Sequence, residues 1–101
     1  MNYLDNLASE IRAAVPPKDL PDKDTRDLFR LYALLLLAKG ETVDAADVHN
    51  AWCAWTANQD PDHESLIPFA DLSDSMISQD APYVEAIHSV AQNRASRLSS
   101  P

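Results

Sequence analysis

Only one glycine, Gly40, stands among the 101 residues. That scarcity restricts the fold more than any other feature. Tight β-hairpin turns and type II turns draw on glycine for positive φ, so an all-β chain of this length would need many. A glycine-rich loop that cradles phosphate cannot be built from one glycine either. Helices need glycine only at their ends, and Gly40 directly follows Lys39 at the close of an apolar run. The chain is therefore expected to be all-α.

Apolar spacing divides that α domain into elements. Leu4, Leu7, Ala8, Ile11 and Val15 recur at helical spacing, so a first helix ends before Pro16-Pro17. A linker carrying Pro21 follows. A second helix is expected from Lys23 to Lys39, and its second half, Leu31 to Ala38, is apolar on every side. Such a segment is expected to be buried in the middle of the fold. Thr42 is a plausible N-cap for a third helix over Val43–Asn58. An irregular loop runs from Gln59 to Leu72 with Pro61 and Pro68, and loops of that length are often functional. A short helix is expected within Asp71–Gln79. Asp80-Ala81-Pro82 then opens a last helix that turns Tyr83, Val84, Ile87, Ala91 and Leu98 inward. This makes one domain over 1–98 of four to five helices with one long ordered loop. Residues 1–40 form an N-terminal helical pair, 41–98 a second region, and 99–101 a loose tail. The third and last helices should meet through Trp52, Trp55, Val84 and Ile87, with the loop over them. Helical phase puts Trp52 largely inside and His49 at the edge of the apolar stripe.

Charge narrows the partners. The formal charge is −8, and between Gly40 and Asn93 ten acids stand with no Lys or Arg. Such a surface repels phosphate backbones and anionic lipid, so nucleic acid and membrane partners are not expected. A lone cysteine, Cys53, makes no internal disulfide, and the N-terminus lacks the basic and apolar regions of a signal peptide. The longest apolar run is too short to span a bilayer. A cytoplasmic protein is expected.

Catalytic chemistry finds little support. His49 and Cys53 lie one helical turn apart, a spacing that can hold a metal or pair a base with a nucleophile. A structural zinc site wants four ligands, and no oxyanion hole is indicated, so packing and hydrogen bonding are the favoured roles. Asp60, Asp62 and Glu64 resemble a calcium loop but have Ser65 where glycine is required. Neither metal nor cofactor is expected, and the chain is read as non-enzymatic. Trp52 and Trp55, beside His49 and the long loop, can serve as core anchors or line a groove for a base or an apolar side chain.

The order Val48-His49-x-x-Trp52, a loop, His63-x-x-Leu66-Ile67-Pro68-Phe69-x-x-Leu72 and then Asp80 resembles the RyR domain, the repeat of ryanodine receptors that also occurs free-standing in bacteria and phages. Thr56–Asp62 replaces the family's glycine-bearing segment. The N-terminal half, with Asp27-Leu28-Phe29-Arg30-Leu31-Tyr32-Ala33, is similar to small actinobacterial and actinophage proteins. The resemblance implies a ligand-sensing or docking module, with phage–host conflict in the host cytoplasm as its setting, and free-standing members have been suggested to recognise nucleotide-derived signals. On it, His49, Trp52, Trp55 and His63 are candidate contacts, with Arg26 and Arg30 the cations a nucleotide would need. Leu66, Pro68, Phe69, Leu72 and Asp80 are assigned structural work: pinning the loop and capping the last helix. The expected function is a binding module for a protein partner or a second copy of itself. A nucleotide-type sensor or sponge and an acidic DNA mimic are the alternatives.

Overall fold

A computed structural model describes residues 2–99, with side chains to 97. Helix α1 spans Tyr3–Ala14, α2 Arg26–Lys39, α3 Ala45–Ala57, α4 Asp74–Ser78 and α5 Ala81–Ser99, with single 3-10 turns at Pro17–Asp19, Gly40–Thr42 and Phe69–Asp71. Among the described residues there is no strand. The domain is all-α, as the missing glycines require. None of these helices is long and apolar enough to cross a membrane. α5 includes Ser99, which the sequence assigns to the tail; the rest of that tail and the side chain of Leu98 lie outside the described residues.

Each helix end has a local cause. Asn2 accepts from the Asp5 N–H and caps α1. Asp24 accepts from the Arg26 N–H and opens α2, three residues later than the periodicity suggests. Gly40 has φ +55°, a conformation L side chains rarely adopt, which explains why the one glycine stands there. Thr42 does not cap α3. Its hydroxyl donates to the Lys39 carbonyl and finishes α2, while Asp44 and Asp47 form a capping box that starts α3. A carboxylate that also complements the helix dipole is the better cap, and Lys39 reaches across to Asp47 at 2.8 Å.

The core gathers Leu7 and Ile11 of α1, Leu28, Phe29, Tyr32 and Leu36 of α2, Val48 and Trp55 of α3, and Ile87 and Val90 of α5. Val84 packs at its edge. α2 is central, touching α1, α3 and α5. It is not buried all round, however: Leu34 is 51% and Leu37 42% exposed. A domain of this size has too few elements to cover every side of a helix, so the α2 stripe through Leu28, Tyr32 and Leu36 wins and its outer face stays open.

Two aromatic and polar ties place the site. Phe29, Tyr32 and Tyr83 form a ring cluster with centroids 5.4–6.2 Å apart. The Tyr83 hydroxyl donates to the Asp19 carbonyl, holding the proline-rich linker against the start of α5. At the other end of the fold His88 donates to the Val43 carbonyl at 2.6 Å.

Candidate functional site

The linker, α2, α3, the long loop and the α4–α5 junction enclose a cleft of about 630 Å³. Trp52 stands in its wall between two histidines. The His49 ring stacks on it at 5.9 Å and 22°, and His63 meets it edge-on at 5.2 Å and 85°. The two histidines thus share one aromatic neighbour and line the same cleft.

Helical phase reversed the roles of His49 and Trp52. His49 is the buried residue, 4% exposed, and Trp52 is only partly buried; Trp55, 7% exposed, is the tryptophan of the core. The loop decides this, because it closes over His49 rather than over Trp52. His49 Nε2–H donates to the Ile67 carbonyl at 2.7 Å, with the Cys53 sulfur 3.3 Å from the same nitrogen. A carbonyl only accepts, so Nε2 carries a proton, and in the neutral ring Nδ1 is an acceptor. That Nδ1 has no hydrogen bond among the described residues, yet is not shut off from solvent. The loop itself is bent by His63, whose Nδ1 accepts from the Ser65 N–H at 3.0 Å instead of bonding a loop carbonyl.

Of the loop residues assigned structural work, Leu72 lines the cleft and Leu66, Pro68 and Phe69 do not. Phe69 packs against the His49 ring at 6.3 Å. Leu66, Phe69 and Leu72 are partly buried and Pro68 is exposed, so the loop is held by the His49 bond and edge contacts rather than by a fully buried plug. Asp80 sits at the N-terminus of α5, where its carbonyl accepts from Tyr83 and Val84. Its carboxylate makes no hydrogen bond among the described residues and is partly buried in the cleft wall. Burial raises its pKa, and the nearby His49 partly offsets that.

Arg26 and Arg30 lie elsewhere. They border a neighbouring recess of about 460 Å³ with Trp55 and Gln59. Both are already engaged, Arg26 with Asp24 at 2.7 Å and Arg30 with Asp5 at 2.6 Å and Asp27 at 3.0 Å. The cation at the cleft is Lys23, which sequence reasoning missed; its Nζ lies 4.8 Å above the Trp55 ring. Tyr32 and Tyr83 were missed as site residues too. Both looked like core, and the available signal was the single polar tip in the apolar run Leu31–Ala38.

A family model described as a domain of unknown function, DUF7701, matches residues 2–92. The chain belongs to that family. Comparison with curated proteins and with solved structures gave no match. The DUF7701 match takes in the whole cleft, from Asp19 to Tyr83, so the linker, histidines and tryptophans fall within one family unit. Chemically, the DUF7701 cleft offers aromatic faces and hydrogen-bond acceptors. Burial pushes the Cys53 thiol up, and its neighbouring His49 nitrogen is committed to a carbonyl. That combination disfavours a thiolate nucleophile. Among the described residues no three His, Cys, Asp or Glu groups gather as a metal site.

Proposed function

We propose that this domain is a non-catalytic interaction module that binds a protein partner through the cleft. One observation carries the reading: a partly exposed tryptophan stands between two histidines in the wall of a cleft large enough for a side chain and its flanking backbone. Tryptophans in such settings dominate binding energy in protein interfaces. The RyR likeness enters the proposal in the same way, since its motif residues His49, Trp52, His63 and Phe69 converge here. A nucleotide is the weaker reading. Its phosphates would face Asp80 in the cleft with Lys23 as the lone Lys or Arg lining it among the described residues, while Arg26 and Arg30 are paired in another recess.

The test is affinity capture from the encoding organism with the intact chain and with Trp52→Ala, beside a melting screen with nucleotides. The expected result is a defined protein retained by the intact chain and lost with Trp52→Ala. Equal retention by both chains, or none by either, would overturn the proposal. So would a nucleotide that raises the melting temperature, for which saturation at 100 times Kd adds about 2.7 kcal/mol.

A further inference from the structure

Of the polar side-chain groups that border the cleft and make no hydrogen bond among the described residues, Lys23, Ser65 and Gln79 included, three stand near one another around Asp80. One is the hydroxyl of Tyr32, a residue only 1% exposed that borders the cleft. The others are the Asp80 carboxylate and His49 Nδ1. Their chemistry is one-sided. A carboxylate accepts, the free nitrogen of a ring protonated at Nε2 accepts, and only the phenol can do both. All three keep some solvent contact, the fully buried side-chain polar atom without a partner among the described residues being Thr56 Oγ1, so an occupant that donates several hydrogen bonds would replace water at them. The rest of the wall sets the rings of Trp52, Trp55 and Tyr83 among Leu28, Leu72, Met76 and the cation Lys23, and aromatic faces attract cations. The chain itself lays Lys23 over Trp55, while Trp52, partly exposed beside His49 and His63, has no cation over it among the described residues.

We infer that the cleft receives the guanidinium of an arginine borne by the protein partner, stacked against Trp52 and hydrogen-bonded to Asp80, with His49 Nδ1 and the Tyr32 hydroxyl as further contacts. This rests on the interaction reading above. Guanidinium suits the site better than ammonium because it is planar, weakly hydrated, carries five donors and stacks on rings while bonding a carboxylate. The chain supplies no arginine of its own, since Arg26 and Arg30 are held by Asp24, Asp5 and Asp27 outside the cleft. A partner-borne residue fits better than a free small cation for two reasons. The cleft has room beyond one side chain. The surrounding segment between Gly40 and Asn93 has ten acids and no Lys or Arg, which complements a basic stretch of chain.

The probes are the tripeptide acetyl-Ala-Arg-Ala-amide, its citrulline and lysine counterparts, and free agmatine, titrated into the intact chain at low salt. The readout is the indole N–H resonances of Trp52 and Trp55. The arginine tripeptide should shift the Trp52 resonance saturably. The citrulline form, and the arginine form on Asp80→Asn, should each bind at least about tenfold more weakly, as loss of a charge-assisted hydrogen bond implies. Circular dichroism is the check that Asp80→Asn stays folded, and Tyr32→Phe, which keeps the ring, should weaken binding less. Citrulline binding as well as arginine, lysine binding better, or no saturable shift would overturn the guanidinium assignment. If capture of the partner still depends on Trp52, the interaction reading survives that outcome. Agmatine binding more tightly than the tripeptide would overturn a protein source. Tripeptide binding with capture unaffected by Trp52→Ala would overturn the interaction reading and leave the arginine chemistry.

Discussion

Asp80 is the residue whose surroundings cost the fold most visibly. Its carboxylate is partly buried, has no hydrogen bond among the described residues, and titrates above the usual range because burial disfavours its charge. The groups facing it are His49 on α3, Tyr32 on α2 and Tyr83 on α5, with His63, Asp19 and Lys23 around the same cleft. A raised folded pKa means the folded state holds the proton more tightly than the unfolded chain. Stability therefore falls as pH rises from the ordinary carboxylate value through the raised one. Asp80→Asn should melt higher than the parent at neutral pH, and the difference should vanish near pH 4 or below, checked by thermal melts across pH. A lower neutral melting point for Asp80→Asn would show that Asp80 is paired after all. The tryptophans give a second contrast. Trp55→Ala should cost about 3–5 kcal/mol as a large core truncation, and Trp52→Ala about 1–3 kcal/mol because part of its surface is already wet. His49→Ala, which leaves the Ile67 carbonyl without its donor, should cost about 1–3 kcal/mol in chemical denaturation.

Helix ends and faces carry the predictions at the scale of elements. The Asp44–Asp47 capping box begins α3 and so sets the phase of His49, Trp52 and Trp55. Asp44→Ala should lower stability by about 0.5–2 kcal/mol, while Thr42→Ala, whose hydroxyl serves only the end of α2, should cost less. The reverse order would restore Thr42 as the cap. The open face of α2 gives the opposite expectation. Leu34→Gln and Leu37→Gln, separately or together, should change stability by no more than about 0.5 kcal/mol each, because both leucines lie on the open face of α2 and stay largely in contact with solvent. A larger loss that depends on protein concentration would mean that this face is covered by a second copy. The loop from α3 to α4 is the element with the least support: its linings are partly buried, and the His49–Ile67 bond is its main polar anchor. It should exchange its amides earlier than α2 or α3 do.

Across the whole molecule, acids outnumber bases 16 to 8, and the ion pairs that bind α1 to α2 and α5, Arg30–Asp5 and Arg97–Glu10, lie at the surface. Surface pairs contribute about 0–1 kcal/mol each and are weakened by salt. Self-repulsion of the excess acids is weakened by the same salt. Because the acids from Glu41 to Glu85 have few cations near them, relief of repulsion should dominate, and the melting temperature should rise between low and physiological ionic strength. A fall would show that the pairs outweigh the repulsion. Binding of a basic peptide should weaken over the same range.

What the sequence determined by itself is the helical class, the helix order and the polarity of the surface, because these depend on local spacing and composition. One glycine left helices as the economical solution, Pro16-Pro17 ended the first of them, and Gly40 supplied the positive φ after the second. Local pattern also brought His49, Trp52 and Trp55 onto one helix and made the Gln59–Leu72 segment a loop. Tertiary structure decided the rest. Whether an apolar residue is covered depends on which neighbours exist, and so Leu34 and Leu37 stay wet although their segment is apolar on every side. Which of His49 and Trp52 is buried depended on where the loop crosses α3, a contact between residues 18 apart in sequence. The polar lining of the cleft was the least legible part: Asp19, Lys23 and Tyr32 come from the linker and α2 and Tyr83 from the distant start of α5, and only the packing of these three segments brings their polar atoms to the same opening.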